Sequence, residues 1–177
     1  MTRAVVTGST GFAGAALVAE LAARGFEVVR ASARALPDGV RADLASPDAW
    51  RALLARVRPD VVFHLHGASD PRDAREAVAH NVRPATALLT AAADVASPAT
   101  VLVVGSAAEY GPVVEADLPV REDAPLRPTS LLGRSKALQT RRALRAPRRG
   151  VRVVVARPTN LVGPGAPATS AAGAFAR

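Results

Sequence analysis

No cysteine occurs in the 177 residues, so neither a disulfide framework nor a cysteine-ligated metal is available, and no metal site is expected. Aromatic residues are scarce too: one Trp, one Tyr and four Phe leave little surface for stacking nucleic-acid bases. Lysine is reduced to Lys136 alone, so the net charge of +8 is carried by arginines scattered among alanine-rich segments. The one dense basic group, Arg141-Arg142, Arg145 and Arg148-Arg149, reads as a solvated helix end, and no helix-turn-helix or zinc pattern accompanies it. Nucleic acid is therefore not an expected partner. No apolar run is long enough to cross a bilayer, and the amino terminus runs into a strand with no charged leader. The expectation is a soluble cytoplasmic protein with no membrane partner.

What the chain does contain is a regular alternation. Apolar runs suited to buried strands recur at Ala4–Thr7, Glu27–Ala31, Val61–Leu65, Val101–Gly105 and Val151–Ala156. Helical segments are expected between them at Ala13–Arg24, Pro47–Val57 capped by Ser46, Asp73–Val95 and Ser130–Arg145. The order predicts an α/β fold, a parallel sheet covered by helices on both faces. With 49% hydrophobic residues the chain has enough apolar material for one core, and a single domain over residues 1–177 is expected, with 163–177 as a mobile tail. The longest loop, Glu109–Thr129, is rich in proline and acids and follows the end of a strand, where doubly wound sheets place ligands.

The most specific local feature is Thr7-Gly8-Ser9-Thr10-Gly11-Phe12-Ala13-Gly14, between the first strand and the first helix. Gly8 permits a tight turn, Gly11 a close backbone approach, and Gly14 close packing of helix on strand. The helix start then offers unpaired N–H groups and a positive dipole end to an anion such as a dinucleotide's pyrophosphate. The spacing G-x-x-G-x-x-G differs from the G-x-G-x-x-G of other dehydrogenases.

Taken with Asp43-Leu44, Pro59-Asp60-Val61-Val62-Phe63-His64-Leu65, Asn81, Val104-Gly105-Ser106-Ala107-Ala108-Glu109-Tyr110-Gly111, Gly133-Arg134-Ser135-Lys136 and Arg157-Pro158-Thr159-Asn160-Leu161-Val162-Gly163-Pro164-Gly165, this turn resembles the extended short-chain dehydrogenase/reductase family. That family comprises nucleotide-sugar epimerases, dehydratases and reductases. The match runs along essentially the whole chain, and within the family it looks most like the GDP-4-keto-6-deoxymannose reductases. The resemblance implies a three-layer Rossmann fold and a bound nicotinamide cofactor. It also implies a further strand and a substrate lobe after the Arg157–Gly165 segment, so a fold truncated after the fifth main strand is expected.

By resemblance, the cofactor-binding set is Gly8, Thr10, Gly11, Phe12, Gly14, Arg30, Arg34, Asp43, Leu44, Leu65, His66, Gly67, Asn81, Lys136 and Pro158. His66 stands where the family usually has a small residue, and either contacts the phosphates or crowds them. At the end of the second strand an acid would accept from the adenosine ribose; here Arg30-Ala31-Ser32-Ala33-Arg34 offers two guanidinium groups instead. NADP is favoured, with NAD as the alternative.

The family moves a hydride between nicotinamide and a sugar carbon while a Tyr exchanges the proton. Ser106 and Lys136 fit the catalytic Ser and Lys positions, and the resemblance implies that Ser106 and Asn160 face a nucleotide-sugar substrate. The Tyr position, four residues before Lys136, is occupied by Leu132, which has neither titratable proton nor donor. Two readings stay open: impaired keto-sugar nucleotide chemistry, or a non-catalytic cofactor-binding or regulatory module. Relatives pair through their two long helices, which makes a homodimer through Asp73–Val95 and Ser130–Arg145 an expectation as well.

Overall fold

The computed structural model describes residues 1–95, 99–146 and 150–166. Six parallel strands form one sheet: β1 (Arg3–Thr7), β2 (Glu27–Ser32), β3 (Gly39–Arg41), β4 (Val61–His64), β5 (Thr100–Val104) and β6 (Arg152–Ala156), in the order β3-β2-β1-β4-β5-β6. The strand order reverses between β1 and β4, which opens a crevice above their carboxyl ends. This is the expected three-layer α/β Rossmann fold.

The helices are α1 (Phe12–Ala23), α2 (Pro47–Val57), α3 (Ala74–Ala77), α4 (Arg83–Asp94) and α5 (Leu131–Arg145). Each of α2, α3 and α5 begins where a side chain satisfies a free backbone donor: Ser46 accepts from Ala49, Asp73 from Glu76 and Ser130 from Gly133. One face of the sheet is packed by α2, α4 and α5, with Trp50, Leu54 and Leu88 against Val5, Val62, Val101 and Val103. The opposite face carries α1, whose Leu17, Val18 and Leu21 close over Ala4, Val6 and Phe63.

Two departures from expectation have physical causes. The strand β3 was not anticipated: it is three residues long, follows the Pro37-Asp38 turn and pairs only with β2, so it carries no alternation to detect. The helix expected as continuous over Asp73–Val95 is interrupted by a π-helical turn, Val78–Val82, between α3 and α4. That wide turn carries the fully buried Asn81. Arg148, Arg149 and residues 167–177 of the expected tail lie outside the described residues. Among the described residues no helix is long and apolar enough to cross a membrane.

Candidate cofactor and catalytic site

The glycine turn is built by close approach. Gly8 has φ +68, and a Cβ there would sit 2.9 Å from the backbone N of His66. At Gly14 a Cβ would lie 2.0 Å from the Gly8 carbonyl oxygen, so any side chain would push α1 off the turn. Gly11 donates to the Gly8 carbonyl at 3.0 Å and then caps α1 without any side-chain bond. The first amides of the helix are left for a ligand. This cradle fits a dinucleotide's pyrophosphate, because backbone atoms crowd Gly8, Gly11 and Gly14 where side chains would otherwise stand and the helix's dipole end is positive.

A buried relay fixes the turn to the end of β4. Thr7 Oγ1 lies 3.1 Å from His64 Nδ1 and accepts from the His66 backbone N–H at 3.1 Å. His64 is fully buried and its ring stands edge-on to Trp50, with centroids 6.3 Å apart. Burial, aided by His66 and Lys136, pushes its pKa down to about 3, so the ring is neutral. With Thr7 donating to Nδ1, the proton sits on Nε2, which has no partner among the described residues. His64 thus serves as a core histidine that sets the Thr7 rotamer.

Beside the turn a hollow of about 140 Å³ is lined by Gly8, Ser9, Thr10, Ala31, Ser32, Arg34, Leu44 and His66. Five of the residues expected to touch cofactor meet there. Leu44 is held by Trp50, whose indole N–H donates to its carbonyl at 2.9 Å. Asp43 is exposed and its carboxylate accepts from the Ala45 amide at 2.9 Å, which turns it along the loop. Arg30 reaches Ser9 Oγ at 3.4 Å, and Ser32 accepts from the Arg34 amide at 3.0 Å. The two guanidinium-bearing residues therefore flank the hollow. Larger cavities lie elsewhere, about 830 Å³ along β6 and about 420 Å³ inside the 110–127 loop, away from the glycine turn.

The second cluster joins β5, the π turn and α5. Asn81 uses its whole amide on protein: Oδ1 accepts from Ala68 at 2.8 Å while Nδ2 donates to Ala68 O and Ser135 Oγ. It thereby holds the 65–68 loop, Leu65 and Gly67 included, against α5. A Cβ on Gly67 would fall 3.2 Å from Lys136 Nζ and 2.6 Å from Asn81 Oδ1, so the three residues converge. Lys136 donates to the Val104 carbonyl at 2.8 Å. Burial lowers its pKa to about 8, against an opposing pull from Glu109. Ser106 follows directly at the end of β5, capping the short helix Ala107–Glu109 by accepting from Ala108 at 3.1 Å.

Glu109 was quoted in the sequence only as part of a motif, yet it organises this end of the site. It is fully buried and accepts from the Ser106 amide, Thr140 Oγ1 and Arg157 Nε at 2.9, 3.0 and 3.0 Å. The ion pair is shielded, and Arg157 also donates to Tyr110 Oη at 2.9 Å. A loop acid three residues after a capping Ser is the signal that betrays it. Tyr110, the sole tyrosine, is thus engaged by Arg157 rather than placed beside Lys136. Pro158 is half-buried and its carbonyl accepts from Ala107 at 2.9 Å; Asn160 is exposed; Phe12 Cζ lies 3.6 Å from the Cβ position of Gly163. Leu132 occupies the first turn of α5, where its carbonyl accepts from Ser135 Oγ at 2.9 Å.

A Rossmann sheet with a dinucleotide-type glycine turn and a Ser/Lys pair at the next crevice defines a nicotinamide-type α/β domain. The chain belongs to the NAD dependent epimerase/dehydratase family, whose profile matches residues 4–177. It is 35% identical over 182 residues to dTDP-6-deoxy-L-talose 4-dehydrogenase (NAD(P)(+)) of Kitasatospora kifunensis, covering 98% of this chain and 57% of that protein. It is 34% identical to GDP-6-deoxy-D-mannose reductase of Pseudomonas aeruginosa, over 92% of this chain and 53% of the relative. The structure of RMD from Pseudomonas aeruginosa complexed with NADPH superposes with a TM-score of 0.80 at 33% identity, covering 96% of this chain and 57% of the other. The chain thus spans a little over half the length of these relatives.

Proposed function

We propose that this chain is a single domain that binds NADP(H), with NAD(H) as the alternative, for oxidoreductase-type chemistry on a nucleotide-activated keto sugar. The observation that carries the reading is the side-chain-free cradle at Gly8, Gly11 and Gly14, joined to the Arg30 and Arg34 flank of the adjoining hollow. The nicotinamide, when bound, supplies or accepts the hydride. Lys136 supplies a buried ammonium for the cofactor ribose, and Ser106 a hydroxyl for the sugar oxygen, with Asn160 on the substrate side. Glu109 and Asn81 hold these groups in place. The relatives' names, a dTDP-sugar dehydrogenase and a GDP-sugar reductase, support a sugar nucleotide as substrate class.

A second reading, a non-catalytic cofactor-binding module, is favoured by one observation: Leu132 offers no proton where the family's acid/base stands. Titration with NADPH and NADH, followed by assay of the native chain and Leu132→Tyr with a keto-sugar nucleotide, separates the two. A gain of about 10² to 10⁴ in the variant supports the catalytic reading. Binding with silence in both supports the module. Absence of cofactor binding up to millimolar concentration removes both.

A pairing of two copies through α4 and α5 is part of the same proposal. Its support is the groove formed by Thr86, Leu89, Thr90 and Leu138, with Leu138 exposed. Sedimentation of the native chain and Leu138→Glu reads it directly: a dimer converted to monomer supports the pairing, and a monomeric native chain removes it.

A further inference from the structure

The three histidines of the chain form a row. The His66 ring lies 6.3 Å from that of His64 and 6.0 Å from that of His80, which the π turn places at the surface. His66 is pinned by its backbone, through Thr7 Oγ1 at 3.1 Å and the tight approach of Gly8. His66 also lines the hollow shared with Ser9, Thr10 and Arg34, its imidazole lies close enough to Arg34 to feel that charge, and among the described residues neither ring nitrogen has a hydrogen-bond partner. An unpaired, half-buried imidazole against a phosphate cradle has one evident use.

We infer that His66 is a proton-linked contact of the dinucleotide, neutral in the free protein and an imidazolium once phosphate is bound, so that cofactor binding takes up a proton from solvent. The inference rests on the cofactor reading above and adds its dependence on pH. The groups facing His66 make the free ring neutral: burial first, then His80 from the π turn, Lys136 from α5 and Arg34 from the segment after β2 all disfavour a further positive charge. From the turn between β1 and α1 it meets the uncharged Ser9 and Thr10, from β4 the neutral His64, and Asp43, next to Leu44, is turned to the Ala45 amide. An incoming diphosphate reverses this balance, since it brings two negative charges beside the ring. Protonation then supplies a charge-assisted donor to the phosphate.

The test is calorimetric titration with NADH, whose lack of a 2′-phosphate removes the one cofactor group that titrates in the same range. At pH 6.5, Lys136, held at about 8, stays protonated and His64, held at about 3, stays neutral, so neither contributes. Heats measured in two buffers of different ionisation enthalpy are expected to show uptake of roughly half a proton per NADH, and affinity to rise about threefold from pH 7 to 6, at most about tenfold per pH unit. His66→Asn, which leaves the backbone bond to Thr7 in place, is expected to abolish uptake, whereas His80→Asn retains it. Saturable binding without uptake, or uptake lost in His80→Asn and kept in His66→Asn, overturns this inference alone. No saturable binding of NADH or NADPH at any pH overturns the cofactor reading and this inference with it.

Discussion

The two ends of the crevice are made of different material. At the turn between β1 and α1 the candidate phosphate surface is backbone: a carbonyl, a row of amides and the space left by missing Cβ atoms. At β5, α5 and β6 the candidate site is side chains: Ser106 and Lys136, backed by the buried Glu109 and its partner Arg157. A backbone site is specified by where the chain turns, so many substitutions around it leave it intact. A side-chain site can lose its chemistry through one residue while the fold stays whole. On the proposed assignment Leu132 illustrates this, since a leucine in the first turn of α5 suits the helix and brings no proton donor.

The comparison breaks first at Gly14. A methyl group there meets backbone rather than a movable side chain, so Gly14→Ala is expected to destabilise the protein by about 3 kcal/mol or more and to weaken cofactor binding by at least ~100-fold. Urea unfolding with NADPH titration measures both; a variant near native in either shows that the turn tolerates a side chain and that the cradle is misassigned.

Acid should find the relay behind the turn next. His64 has its folded pKa lowered to about 3 from an unfolded value of about 6.5. The folded state therefore binds fewer protons between these values. Stability is fully present above pH 6.5 and is lost as the pH falls toward 3, at a slope of at most about 1.4 kcal/mol per pH unit. Unfolding midpoints from pH 7 to 4 should flatten in His64→Asn, and an unchanged slope would assign the acid loss to other groups.

The smallest effect concerns the hollow's rim. Arg30→Ala with Arg34→Ala should reduce the preference for NADPH over NADH about tenfold, the scale of one charged hydrogen bond to phosphate. Competition titrations read this ratio. Equal losses for both cofactors would mean that the two arginines serve the pyrophosphate or the fold rather than the 2′-phosphate.

Much of this architecture was legible before any coordinates. The five long strands announce themselves as short apolar runs between amphipathic segments, and the glycine turn through its place between strand and helix. The residues that stayed hidden are those whose role depends on a distant partner. Glu109 and Arg157 are separated by 48 positions, and nothing local shows that they meet in the interior. Asn81 reads as a cofactor neighbour, and only the coordinates show its amide bound to Ala68 and Ser135. The edge strand β3 and the π turn escape because three residues, or one extra backbone atom set in a helix, leave almost no periodic trace.

Trp50 is the chain's one indole, 1% exposed, and its ring abuts the imidazole that Thr7 ties to the phosphate turn. Its emission is therefore an intrinsic optical gauge of that turn. Brightness and lifetime should follow any shift of His64, with no dye attached and no other tryptophan to subtract.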